Sequence, residues 1–233
     1  METAVDDNEL SGSSHAETNS EELGAVEYSQ SGSLVKRLVQ LECSVAITSY
    51  QSGLLYNIGC DPKGGLHLHQ AAIAKAMGLS YDGNGSMILA GDSEIVHFKN
   101  ILSPDEKINN TFDACFMPRL RHVTGRLDAH DIGLLSNGAP VFVNTRFNCL
   151  ATVSDQHSFK EVWRPSFIDA LVDEDRCHLN GMAMRDTEPA YVTAVSRSNT
   201  IDGWRDRRNG GGVVIDVARN EVVCEGLSMP PSP

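Results

Sequence analysis

The sequence predicts an all-β fold of repeated antiparallel units, and three observations carry that reading. Residues 77–91, 131–145 and 180–194 ("MGLSYDGNGSMILAG", "DIGLLSNGAPVFVNT", "NGMAMRDTEPAYVTA") align without a gap. Each holds a short apolar run, a turn and a second apolar run, with Asn180 falling on Asp131, Pro189 on Pro140 and Val192 on Val143. Each is followed by two further runs of strand-forming residues. Units of four short strands recurring after 54 and then 49 residues form the pattern of β-propeller blades. A β-sandwich with regular turns is the architectural alternative.

The elements follow in order. Residues 1–33 carry eight acidic side chains, no Lys or Arg, and few branched apolar residues. Such a segment cannot bury enough surface to offset its ordering entropy, so a disordered acidic tail is expected. In "SLVKRLVQLE" (33–42), Leu34, Val35, Leu38, Val39 and Leu41 have helical spacing. "SVAITSY" and "GLLYNIG" then read as a hairpin around "QSG", with "LHLHQ" as the next strand. In the three later units, the third and fourth strands are "EIVHFK" with "FDACFM", "CLATVSD" with "FKEVWRP", and "GVVIDV" with "EVVCEGL". Residues 34–233 thus read as about three and three-quarter blades, a truncated propeller from a longer protein, because a propeller protects its edges by closing.

Composition bounds the function. The formal net charge is −12, and the tail accounts for most of it. A body so close to neutral lacks the basic surface that phosphate-backbone binding requires, so nucleic acid is not an expected partner. The six cysteines (43, 60, 115, 149, 177 and 224) form no C-x-x-C pair and read as reduced core residues. The N-terminus lacks the basic and apolar regions of an export signal, and no apolar run approaches the ~20 residues that span a bilayer. A cytoplasmic protein without a membrane partner is expected.

"FNCLATVSD", "FKEVWRPSFI", "EDRCHLNGMAM" and "GGGVVIDV" resemble a bacterial conserved-hypothetical family with a domain of unknown function, over roughly residues 35–233. The resemblance implies a propeller-like fold without an assigned reaction, and a chain that continues past "MPPSP". A more distant similarity links "HLNGMAM" and "AYVTA" to the regucalcin/gluconolactonase propellers. It implies that Asn180 ligates a divalent metal, although the glutamate of that family's first blade has no counterpart here.

Several residues carry chemistry that could form a site. Asp131 and Asn180 begin equivalent strands near the channel, and their oxygens suit Ca²⁺ or Mg²⁺; the alternative is that both cap turns. His130 and His178 are candidate general bases or transition-metal ligands, or else loop histidines. His67 and His69 share a strand face without an evident third ligand. In "GWRDRRNGGG", Arg205, Arg207 and Arg208 could bind an anionic substrate, or simply decorate a solvated connection. Arg119, Arg121 and His122 are read as part of an insertion. Two functions stand: a binding or scaffolding module for a small molecule or protein, and a metal-assisted hydrolase or lyase acting in the channel.

Overall fold

The computed structural model describes residues 28–61 and 63–231. The disordered tail expected over residues 1–33 therefore lies, for residues 1–27, outside the described residues. The chain divides into two units, Met1–Leu34 and Val35–Pro233. Of the first, the described residues end in a turn in which Leu34 N donates to Ser31 O at 3.1 Å. The second holds the strands, after an amphipathic helix α1 (Leu34–Leu41) that buries Leu38 and leaves Val39 and Leu41 exposed.

The strands form four antiparallel sheets. The first has β1 (Val45–Ser49), β2 (Leu54–Cys60) and β3 (Leu66–Ala72). The second has β4 (Leu79–Tyr81), β5 (Ser86–Ala90), β6 (Glu94–Asn100) and β7 (Phe116–Val123). The third has β8 (Ala129–Leu134), β9 (Pro140–Asn144), β10 (Cys149–Thr152) and β11 (Lys160–Trp163). The fourth has β12 (Leu179–Arg185), β13 (Glu188–Ala194), β14 (Gly212–Asp216) and β15 (Glu221–Leu227). These are propeller blades, and the inner strands start within two residues of the positions the repeat predicts.

Local chemistry sets the hairpins. In "YDGNGS" the Asp82 carboxylate accepts Asn84 N at 2.7 Å and Ser86 N at 2.8 Å. Gly83 and Gly85 supply the positive φ values of 75° and 82° that this turn needs. Strands β5 and β9 are buried at every position. A strand covered on both faces has no side to show water, so "SMILA" and "PVFVN" are continuous rather than alternating runs.

The core consists of three apolar clusters, each between successive sheets. Leu55 and Ile73 pack with Met87, Leu89 and Val96. Ile88 and Ile95 pack with Ile132, Phe142 and Cys149. Val141, Val143 and Leu150 pack with Leu179, Met182 and Val192. Close approach is also required of the backbone. A Cβ on Gly78 would lie 2.8 Å from the Asp131 carbonyl carbon and 2.9 Å from Ile132 N, so only glycine lets the second blade meet the third here.

Two details correct the sequence reading. The fourth strand of the second blade runs over Phe116–Val123 rather than "FDACFM", which places Arg119, Arg121 and His122 on an exposed edge strand and not in an insertion. Pro118 is tolerated there because an edge strand has no ladder bond to lose on its outer side. The register between the third and fourth blades is 50 residues along the inner strands, not 49. Ile132 pairs with Phe142 and Met182 with Val192. The spacing of 49 holds only for Pro140 and Pro189, whose partners Leu134 and Met184 are 50 apart, and a register shift between Ala183 and Met184 absorbs the difference. Asn180 is therefore the counterpart of His130, and His178 that of Asp128.

Candidate functional site

Residues from all four blades line an open cavity of about 650 Å³. Thr48 and Tyr50 come from the first blade, and Ala76 and Met77 from the entry to the second. Asp128 and His130 come from the third, and Asp175, His178, Trp204 and Arg205 from the fourth. Both candidate histidines thus share one cavity, with ring centroids 5.1 Å apart at an interplanar angle of 72°.

The backbone delivers these side chains through an unusual conformation. Asp128 and His178 immediately precede their inner strands and are left-handed, with φ of 47° and 51°. Non-glycine residues adopt this region at some cost, so surrounding contacts must hold them there. For His178 the Asp175 carboxylate does so: Oδ1 accepts His178 N at 3.0 Å, and Oδ2 lies 2.6 Å from Nδ1. The loop carrying Asp175 is fixed in turn by the fully buried Asn148. Its Oδ1 accepts Arg176 N at 2.9 Å and Cys177 N at 3.0 Å, while its Nδ2 donates to Glu174 O at 2.6 Å.

The same contacts settle where the ring protons lie. A carboxylate can only accept, so His178 carries its hydrogen on Nδ1. His130 Nδ1 lies 2.9 Å from the Asp128 carbonyl and 2.7 Å from Thr145 Oγ1. The carbonyl can only accept, and the Thr145 hydroxyl spends its own proton on Leu179 O at 2.6 Å. His130 is therefore also the Nδ1–H tautomer. Among the described residues neither Nε2 has a hydrogen-bond partner, so both are left as acceptors. Burial holds the His130 imidazole below the usual histidine range, and the neighbouring His178 adds to this against the Asp128 carbonyl and nearby carboxylates. A neutral ring with a bare Nε2 is the form that takes a proton or a metal.

Trp204 forms the wall beside His178, with ring centroids 4.2 Å apart, and is 7% exposed. Its Nε1 is buried without a partner among the described residues. Of the three arginines, Arg205 lines the cavity, stacks 4.5 Å from the Trp204 ring and donates to Asp202 Oδ1 at 2.8 Å. Arg208 donates to Arg205 O at 2.9 Å, and Arg207 to Gly203 O; neither lines the cavity. This connection folds as a 3-10 turn, Arg205–Arg207.

Asp131 and Asn180 lie elsewhere. Asp131 Oδ1 accepts Ile132 N and Oδ2 accepts Met182 N, both at 2.9 Å. Asn180 Nδ2 donates to Pro230 O at 3.2 Å. Neither side chain lines the cavity. A Ca²⁺ or Mg²⁺ ion on this pair would have to compete with those backbone groups. Among the described residues no three His, Cys, Asp or Glu side chains are grouped to share an ion. His67 packs against Phe112, ring centroids 4.4 Å apart. Sequence reasoning missed Asp128, Thr145, Asp175 and Trp204. Asp175 was the one with a local signal, a carboxylate three residues before a histidine.

Comparison with known proteins places the whole propeller unit in one family profile. Residues 32–233 match DUF4915, described as a domain of unknown function. No protein of curated function matches the chain. Among solved structures the chain is similar to a catalytically inactive virginiamycin B lyase from Staphylococcus aureus with quinupristin, at 13% identity and a TM-score of 0.43. That likeness covers 80% of this chain and 52% of the other, so the chain spans about half the length of that structure.

Proposed function

The chain belongs to the DUF4915 family, and from that premise we propose that it is a binding propeller for a small molecule seated over His130 and His178. One observation carries the reading: two imidazoles with committed Nδ1 atoms, and with no hydrogen-bond partner for either Nε2 among the described residues, line the same cavity. With Asp128 also in the lining, the site is rich in acceptor-bearing residues and favours a ligand that donates hydrogen bonds, such as a polyol or an amine. Trp204 supplies an apolar wall, and Tyr50 and Arg205 supply the donors.

A second reading has its own support. The Asp175–His178 pair orients an imidazole and leaves its Nε2 without a hydrogen-bond partner among the described residues, which is the arrangement of a general base, so a hydrolase or lyase activity at this cavity is the catalytic alternative. A reducing cytoplasm fits both readings, because all six cysteines are unpaired. No helix among the described residues is long and apolar enough to cross a membrane.

A thermal-shift screen of polar small molecules against wild type, His178→Gln and Trp204→Phe tests the binding reading. Ligands that raise the melting temperature of wild type and lose at least half that shift in both variants are expected. Ligands that stabilise the variants as well as wild type would place binding elsewhere and defeat it.

A further inference from the structure

We infer that this cavity takes up a late divalent transition-metal ion, with Nε2 of His130 and Nε2 of His178 as its two protein ligands; the inference deepens the binding reading and rests on it. Water or the small molecule fills the remaining positions.

The spacing allows it. Two imidazoles bound through nitrogen to one tetrahedral ion at about 2.0–2.1 Å have ring centroids about 5 Å apart, and those of His130 and His178 lie 5.1 Å apart. Metal-bound histidines characteristically donate their other ring N–H to a carboxylate or carbonyl, which fixes the tautomer and raises ligand basicity. Both partners are already in place here, the Asp175 carboxylate for His178 and the Asp128 carbonyl for His130. The ligands thus need no tautomer change to bind.

Charge and room agree with this. Asp128 and Asp175 are among the residues that line the cavity, and its cationic residue, Arg205, is paired with Asp202. An imidazole pair selects Zn²⁺, Ni²⁺ or Cu²⁺ over Ca²⁺ or Mg²⁺, which prefer oxygen donors. Among the described residues no third His, Cys, Asp or Glu joins the pair, so the ion keeps open positions, as an ion that contacts a small molecule must. A second histidine pair, His97 and His122 on β6 and β7, has a similar centroid separation of 5.3 Å. Among the described residues no hydrogen bond fixes either of those rings, which is why it is the control and not the site.

The test is calorimetric titration of the full chain, without an affinity tag, with zinc chloride and nickel chloride at neutral pH. One ion per chain is expected, with affinity about tenfold weaker or more in His130→Gln and in His178→Gln, and unchanged in His122→Gln. Near-ultraviolet circular dichroism checks the fold of each variant. If a cavity variant does not fold, Cu²⁺ electron paramagnetic resonance on wild type decides, with coupling to two imidazole nitrogens expected at one equivalent. Absence of uptake, uptake unaffected by either cavity substitution, or loss in His122→Gln would overturn the inference. A small molecule that stabilises the protein in the presence of EDTA would leave the binding reading standing when the metal fails.

Discussion

The Asp131 carboxylate reaches across a blade boundary to accept Met182 N at 2.9 Å while its other oxygen holds Ile132 N of its own strand at the same distance. These two amides occupy equivalent positions, each at the end of a register shift in its inner strand, Ala129 to Ile132 and Leu179 to Met182. A bulge frees N–H groups that the ladder would otherwise use, and one carboxylate satisfies both. Threonines make parallel links. Thr48 Oγ1 donates to Met77 O at 2.6 Å, Thr145 Oγ1 to Leu179 O at 2.6 Å and Thr193 Oγ1 to Pro231 O at 2.8 Å.

Asp131→Ala leaves both amides without their acceptor, and each unsatisfied buried group costs about 1–3 kcal/mol. Urea unfolding of the variant should show a loss of that size at least. Calcium or magnesium chloride should stabilise wild type and Asp131→Ala alike. Stabilisation confined to wild type would instead make Asp131 a metal ligand.

Gly78→Ala should destabilise the protein by about 1–3 kcal/mol, because the added Cβ meets backbone atoms and not a flexible side chain. Gly64→Ala, with open space around its Cβ site, should cost only the smaller penalty of its positive φ of 77°. Equal midpoints for the two variants would show that the second and third blades do not meet as closely as described.

The depressed His130 pKa gives stability a pH dependence. The unfolded chain binds a proton near the ordinary histidine value of about 6.5, whereas the folded chain resists it until lower pH. Protonation therefore favours unfolding. The stability is fully present above that unfolded value and is lost as pH falls through it toward the folded pKa. His97 shifts in the same direction, chiefly through burial, and adds to the slope. Melting temperature should fall between pH ~7.5 and ~5.5, and less steeply in His130→Asn, which keeps a donor for the Asp128 carbonyl. An unchanged slope in the variant would remove His130 from this account.

The thiols differ in exposure, with Cys60 and Cys115 intermediate. Cys43 and Cys224 are exposed, whereas Cys149 and Cys177 are buried. Burial pushes the Cys149 thiol up to about 12 and raises that of Cys177 as well. In the native protein, iodoacetamide should label Cys43 and Cys224 and spare Cys149 and Cys177 until denaturant is added. Early labelling of Cys149 would mean that the interface between the second and third blades opens readily.

The blades were legible because each strand is an apolar run closed by turn chemistry, as "YDGNGS" and "SNGAP" show. The register was read one residue short because Pro140 and Pro189 align at 49, and the irregularity at Ala183 that turns 49 into 50 leaves no trace in composition. That single residue moved Asn180 from the company of Asp131 to that of His130. The histidines were recognisable one at a time. Their meeting depends on two left-handed residues, Asp128 and His178, and on Asn148 pinning a distant loop, none of which has a sequence period. Cys43 and Cys224 were expected inside. They lie outside because Cys43 follows the exposed end of α1 and Cys224 sits on the outermost strand of its blade.

The central claim is that His130 and His178, which line one cavity, both carry their proton on Nδ1 and leave Nε2 bare. Long-range proton–nitrogen correlation spectra of protein labelled with ¹⁵N-histidine, recorded at mildly alkaline pH, read this directly. Both residues, assigned through His130→Asn and His178→Gln, should show a protonated Nδ1 and an unprotonated Nε2. Adding one equivalent of Zn²⁺ should shift both Nε2 resonances together. An Nε2–H signal from either ring in the metal-free protein would contradict the account.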